Sequence, residues 1–170
     1  FNPLNLGRLA LGLETFTCAT PKGVMSLLDA YNIETTGKHC VVLGRSNVVG
    51  RPLSILLSQR GAHADCTVTL CHTKTENTAE YTRNADIIVV ATGVPEYLKG
   101  DMVKEGAVII DVGITRVPDA TQPKGYRIVG DVDFESVSKK ASYITPVPGG
   151  VGPMTIVSLL QNTLQAYRRK

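Results

Sequence analysis

Residues 41–52 read Val41-Val42-Leu43-Gly44-Arg45-Ser46-Asn47-Val48-Val49-Gly50-Arg51-Pro52, and this stretch decides the fold. An apolar run ends at Gly44, a second glycine follows at Gly50, and the segment 53–57 beyond it reads as a helix. A strand, a glycine turn and a helix in that order make a phosphate cradle. The turn lets backbone N–H groups approach a pyrophosphate, and the helix N-terminus adds partial positive charge. The usual dinucleotide fingerprint, G-x-G-x-x-G, would put glycines at 44, 46 and 49. This chain has Gly44, then Ser46, then Val49 with Gly50 beside it. Ser46 carries a side chain where the backbone should come closest to the phosphates, but its hydroxyl can donate to a phosphate oxygen instead. An ordinary strand-to-helix turn with two glycines would look the same.

On either side, apolar runs alternate with helical segments. Thr20-Pro21 has the form of a helix start, a hydroxyl N-cap followed by proline, with Met25, Leu27, Leu28 and Tyr31 along the helix. Strands are expected at 39–43, 67–71, 87–91, 107–112, 127–132 and 143–145, and helices at 48–60, 76–84, 134–140 and 154–167. Residues 1–19 read as loop. The run Ile87-Ile88-Val89-Val90-Ala91 is apolar throughout, as in strands buried on both faces. Short strands alternating with helices predict an α/β chain with a doubly wound parallel sheet in three α/β/α layers. Ligands in such sheets bind beyond the carboxyl ends of the strands.

Length and composition narrow the classes. A chain of 170 residues suits one well-buried domain. No apolar run approaches the roughly 20 residues of a membrane span, and the chain shows no signal segment at its start. It opens mid-pattern at Phe1-Asn2-Pro3 without a methionine, so a piece of a longer protein is expected. The net charge of +3 owes much to Arg168-Arg169-Lys170, read as a solvated helix end. Nucleic acid would call for a basic stripe or interleaved aromatics, and neither is present. Cys18, Cys40, Cys66 and Cys71 form no C-x-x-C pair and read as reduced thiols of a cytoplasmic protein. Cys66, Cys71 and His72 lack the fourth ligand of a metal site.

The loops after the strands carry the specificity. An NAD site usually has Asp or Glu after the second strand, accepting from the ribose 2′-OH. Here the loop is Cys71-His72-Thr73-Lys74-Thr75, with no acid before Glu76. Two hydroxyls and a cation suit a 2′-phosphate, and Arg45 can reach the same place with a fork of donors. The pattern argues for NADP over NAD; a solvated polar turn is the plainer alternative. Thr92-Gly93 after the third strand and Gly113-Ile114 after the fourth let a flat cofactor pass close, or make plain tight turns. Asp111 is placed to bond nearby backbone groups. The loop 145–155, rich in proline and glycine, either holds a ligand or turns a structural corner. No catalytic constellation emerges. His39, His63 and His72 are scattered, and His72 reads as a packing or hydrogen-bonding residue.

Taken together, Thr20-Pro21-Lys22-Gly23, the 44–52 cradle, the 71–75 loop and Pro146 to Thr155 resemble the bifunctional methylenetetrahydrofolate dehydrogenase/methenyltetrahydrofolate cyclohydrolase family, over essentially the whole chain. The resemblance implies the C-terminal, Rossmann-like NADP-binding domain of such an enzyme, packed through residues 1–19 and the last helix against an N-terminal catalytic domain. It implies hydride transfer from methylene-tetrahydrofolate to NADP, then hydrolysis of the methenyl product to formyl-tetrahydrofolate. The family's catalytic Tyr-x-x-x-Lys segment and pterin-anchoring aspartate would lie upstream. By position, Gly44, Arg45, Ser46, Val49, Gly50, Thr73, Thr92, Gly93, Gly113 and Ile114 would line the cofactor, with Ile114 beside the nicotinamide. Pro148, Gly149, Gly150, Val151 and Thr155 would form the folate-side loop. A homodimer is implied as well. The chain departs from the family pattern at Cys18-Ala19, where Pro-Cys is frequent, at Thr73, where serine is common, and at Thr115, where asparagine is common. Residues 119–125 read as a variable loop. The rival reading is a non-catalytic dinucleotide-binding or interaction module; a second is a dehydrogenase of amino or hydroxy acids.

Overall fold

Four of the apolar runs become adjacent strands of one sheet. The computed structural model describes residues 2–169, so Phe1 and Lys170, each part of a motif quoted above, lie outside the described residues. In chain order the first half comprises α1 (Pro3–Ala10), α2 (Ala19–Ala30), β1 (His39–Leu43), α3 (Gly50–Ser58), β2 (Thr67–Cys71) and α4 (Thr78–Thr82). The second half comprises β3 (Ile87–Val90), a 3-10 turn (Gly100–Met102), β4 (Val108–Asp111), β5 (Thr115–Pro118), β6 (Tyr126–Val129), α5 (Phe134–Val137), β7 (Tyr143–Ile144) and α6 (Val151–Arg168).

The main sheet is parallel with strand order β2-β1-β3-β4-β7. The order reverses at β1, whose neighbours β2 and β3 diverge from it in opposite directions. Register then aligns the carboxyl ends: Leu43 lies beside both Cys71 and Val90, and Val90 beside Asp111. Four loops therefore leave the sheet side by side at the switch point, where such folds bind ligands.

Side-chain alternation splits the interior into two cores. Cys40, Val42, Ile87, Val89 and Ile110 face Val24 and Leu28 of α2, Leu53 and Leu57 of α3, and Val151 of α6. Val41, Leu43, Ile88, Val90 and Ile109 face Leu98, Val103, Val132 and Val137 on the other side. Each fully buried Leu or Ile contributes roughly 1.5–3 kcal/mol by leaving water. The two cores give the expected α/β/α layering. Helices α2 and α6 pack closely because Gly23 has no side chain: a Cβ there would stand 3.0 Å from the Met154 backbone.

Several expectations need correction. Residues 3–10 are helical, not loop. Asn2 caps that helix by accepting from the Leu4 N–H at 2.9 Å, and Pro3 occupies its first turn. Helix α2 begins at Ala19, with Cys18 as its uncapped N-cap, so Thr20 is not the capping residue. Helix α6 begins at Val151, three residues before Met154, because Pro153 is tolerated in a first turn. The segment 126–129 does not join the main sheet. It pairs antiparallel with β5, a strand outside the expected set, and residues 119–125 are the hairpin loop between them. Arg169 is not merely solvated: it pairs with Glu14 and lies over the Phe16 ring, 4.7 Å from its centroid. All four cysteines are free thiols, three of them buried. Among the described residues no helix is long and apolar enough to cross a membrane.

At the amino end of the sheet Asp86 joins β1 to β3. The His39 N–H donates to Asp86 Oδ2 at 2.8 Å, and Lys104 Nζ lies 2.5 Å from Oδ1. The Lys104 hydrogen bond holds this carboxyl below its usual range. Asp86→Ala should cost about 1–2 kcal/mol at pH 7, allowing for the partial exposure of the pair. A lowered folded-state pKa stabilises above the unfolded value and is lost as pH falls through the folded one. Urea midpoints of parent and variant should therefore converge in acid; a gap that persists there would remove the ion pair from the explanation.

Candidate functional site

The loops leaving β1, β2 and β3 enclose a cleft of about 230 Å³. Gly44, Arg45 and Ser46 enter it after β1, His72 and Thr73 after β2, and Thr92 after β3. Its floor depends on two glycines. Gly44 has φ +117°, and a Cβ on it would lie 2.1 Å from the Ala91 carbonyl oxygen. A Cβ on Gly50 would lie 1.8 Å from the Gly44 carbonyl oxygen. Gly50 is thus the close-packing glycine of the cradle, one position later than the fingerprint would have it. It is buried and supports the turn from beneath.

Ser46 has a different first duty from the expected one. Its Oγ accepts the Val49 N–H at 3.1 Å, bracing the turn ahead of α3, while its own proton stays free to donate. The Ser46 carbonyl accepts from the Arg51 N–H at 3.1 Å. The N–H groups of Arg45, Ser46, Asn47 and Val48 find no acceptor among the described residues. Unpaired amides at the start of a helix are donors for an anion.

The 72–75 loop divides its labour. Thr75 Oγ1 accepts the His72 N–H at 2.9 Å, and His72 Nδ1 accepts the Lys74 N–H at 3.1 Å. Thr75 and His72 therefore shape the turn, while Thr73 and Lys74 stay exposed with unengaged side-chain donors. Arg45 is likewise exposed. Burial pushes the Cys71 thiol up, against a pull down from Thr75, which leaves it a protonated wall of the cleft.

The β3 and β4 exits are held from behind by two buried aspartates. Asp131 Oδ2 accepts from Thr92 N at 2.7 Å, Gly93 N at 2.7 Å and Thr92 Oγ1 at 3.0 Å. Asp111 Oδ1 accepts from Gly113 N and Asp131 N, both at 2.9 Å, and its Oδ2 from Val132 N at 3.0 Å. Burial raises the Asp111 carboxyl, with these amides opposing. The donors of Thr92 and Gly93 are thus used internally, and of the two Thr92 lines the cleft. Ile114, 69% exposed, stands apolar at the β4 exit. Asp131 was missed in the sequence, although an acid inside the apolar run 128–132 was its signal.

The 146–155 loop is distributed differently. Gly149 and Gly150 border an apolar cavity of about 310 Å³ between α2, β4 and β7. Pro148 is exposed, and the Val147–Pro148 peptide is cis. Val151 turns its side chain into the core, 4% exposed. Thr155 Oγ1 contacts Thr20 Oγ1 at 3.2 Å and donates to the Val151 carbonyl, tying α6 to α2.

A parallel sheet with a glycine turn at its switch point and an open, donor-lined cleft above it defines a Rossmann-type dinucleotide-binding domain. The chain belongs to the tetrahydrofolate dehydrogenase/cyclohydrolase NAD(P)-binding domain family, whose sequence model matches residues 18–170. It is 64% identical over all 170 residues to the bifunctional protein FolD of Flavobacterium johnsoniae, and spans 58% of that relative's length. Its fold matches the crystal structure of the bifunctional enzyme FolD from Campylobacter jejuni, with TM-score 0.90 and 54% identity, covering 98% of this chain and 56% of that one. It also matches the Trypanosoma brucei methylenetetrahydrofolate dehydrogenase-cyclohydrolase complexed with NADP cofactor and inhibitor, with TM-score 0.89 and 44% identity, covering 98% of this chain and 56% of that one.

Proposed function

We propose that this domain binds NADP and presents its nicotinamide to a methylene-tetrahydrofolate held largely by another part of a longer protein. The observation that carries the reading is the cleft at the switch point, where free cradle amides, Arg45 and Thr73 converge with no acid between them. The cradle amides would hold the pyrophosphate, and Arg45 with Thr73 the 2′-phosphate. Ile114 would give the nicotinamide an apolar face. When bound, the cofactor supplies the hydride acceptor; the residues of this chain bind and orient it and shield it from water. The NADP complex of the trypanosomal relative supports the same choice of cofactor.

The longer protein would oxidise methylene-tetrahydrofolate and hydrolyse the methenyl product to formyl-tetrahydrofolate, for one-carbon metabolism including purine biosynthesis. The groups that do that chemistry are assigned to the portion of the relatives this chain does not span. An apolar strip on α6, including Ile156 and Leu160 at 63% and 65% exposure, supports packing against that portion. A cytoplasmic homodimer belongs to the same proposal; family likeness supports the dimer and the free thiols support the compartment.

Calorimetric titration with NADP and with NAD at matched salt tests this reading. The expected result is tighter binding of NADP, together with no cyclohydrolase turnover by the isolated chain. Binding of neither cofactor would favour an interaction module, and robust turnover would reveal a catalytic base within these residues.

A further inference from the structure

The strand order constrains how a dinucleotide would lie. If the phosphate-bearing ribose sits over the β2 exit and the pyrophosphate over the β1 exit, the other half must extend over β3 and β4. Its walls are then Thr92-Gly93 and Gly113-Ile114. Neither wall is held by the core alone, because Gly93 and Ile114 are exposed. The first is held by hydrogen bonds to Asp131, and the second by Asp111, to which the Asp131 N–H is bonded.

Asp131 is fully buried and lies outside the cleft lining. Its Oδ2 gathers three donors from Thr92 and Gly93, 39 and 38 residues away in the chain. Its Oδ1 has no hydrogen-bond partner among the described residues and presses on Gly113, where a Cβ would stand 2.1 Å away. The contact is reciprocated: a Cβ on Gly130 would stand 1.8 Å from Asp111 Oδ2. Asp131 N–H donates to Asp111 Oδ1, the same oxygen that accepts the Gly113 N–H. Two carboxylates and two glycines thus interlock across the β3 and β4 exits. A buried acceptor is costly unless its donors are present, so Asp131 Oδ2 fixes the Thr92 and Gly93 donors in one arrangement.

We infer that Asp131 is a positioning residue for the nicotinamide half of the cofactor, setting the separation of the Thr92-Gly93 and Gly113-Ile114 walls without contacting the ligand. This inference rests on the NADP reading above. It goes beyond that reading by assigning the two halves of the cofactor to separately supported parts of the site.

The test is calorimetry of the chain and its Asp131→Asn variant with two probes: NADP, and 2′-phospho-ADP-ribose, which lacks only the nicotinamide. The amide keeps the size of the side chain and replaces one of its two acceptor oxygens with a donor. NADP affinity should fall at least tenfold in the variant, while affinity for the fragment stays within about twofold. Thr92→Val leaves Asp131 in place and removes one donor, and should show the same selective loss at smaller size, about threefold. It keeps the inference testable if Asp131→Asn does not fold. Equal losses for both probes would mean general destabilisation and overturn the inference, as would equal binding of both probes by the unaltered chain. Binding of neither probe by the unaltered chain would overturn the NADP reading and this inference with it.

Discussion

Replacing Arg45 by alanine should weaken NADP binding about 10- to 100-fold and leave NAD binding within about threefold. Charged hydrogen bonds to a phosphate contribute roughly 1.5–3 kcal/mol each, and NAD has no 2′-phosphate to lose them. The geometry favours this assignment. Arg45 is exposed in the first residue after Gly44 and shares the cleft with Thr73 from the neighbouring loop. No described side chain forms a salt bridge with it. Its removal should therefore leave folding unchanged, so the loss can be read as binding. The NADP advantage of the parent should also shrink with added salt, since exposed charges are screened over roughly 8 Å at physiological ionic strength. Titrating both cofactors against parent and variant is sufficient. Equal losses for NADP and NAD would move Arg45 to the pyrophosphate and leave the 2′-phosphate to Thr73 and Lys74.

Gly50→Ala should abolish dinucleotide binding, by 100-fold or more, and lower stability by about 1–3 kcal/mol. The added methyl would lie 1.8 Å from the Gly44 carbonyl oxygen and 2.6 Å from its carbon. Both are backbone atoms of a turn already pressed on Ala91, so α3 must move outward from the sheet. That movement displaces the amides that would meet the pyrophosphate. Gly7→Ala is the control. A Cβ there meets nothing within 4 Å, and the helical site should gain roughly 0.5–1 kcal/mol from the better propensity. Urea midpoints and NADP titrations of the two variants should thus diverge. Normal binding by Gly50→Ala would show that the cradle tolerates the shift and that its amides are not the phosphate site.

The legible part of this protein was the part written in local pattern. Strands β1 and β2 fall where apolar and β-branched runs put them, and β3 and β4 within a residue or two, because a strand buried on both faces needs an unbroken apolar stretch. The hairpin was half legible. Tyr126–Val129 looks like any short strand, but its partner Thr115–Pro118 carries an arginine and ends in proline, and pairing is what makes it a strand. Asn2-Pro3, at the start of helix α1, is the same kind of signal as Thr20-Pro21. At the second place the structure starts the helix earlier and gives the threonine hydroxyl to Thr155.

The candidate site was legible as a set of loops and illegible as a set of donors. Sequence named Gly44, Arg45, Ser46, Thr73 and Thr92, and the structure brings these five into one cleft. The sequence did not show that Thr75 Oγ1 accepts the His72 N–H, that Val151 faces the core, or that Thr92 and Gly93 donate backwards to a buried carboxylate. By itself, then, the sequence determined the parallel sheet, the place of the cradle and the absence of an acid after β2, since each depends on residues adjacent in the chain. Only the tertiary structure decided which polar groups remain free for a ligand. A hydrogen bond is satisfied by whatever partner the fold delivers, and for Thr92 that partner lies 39 residues away.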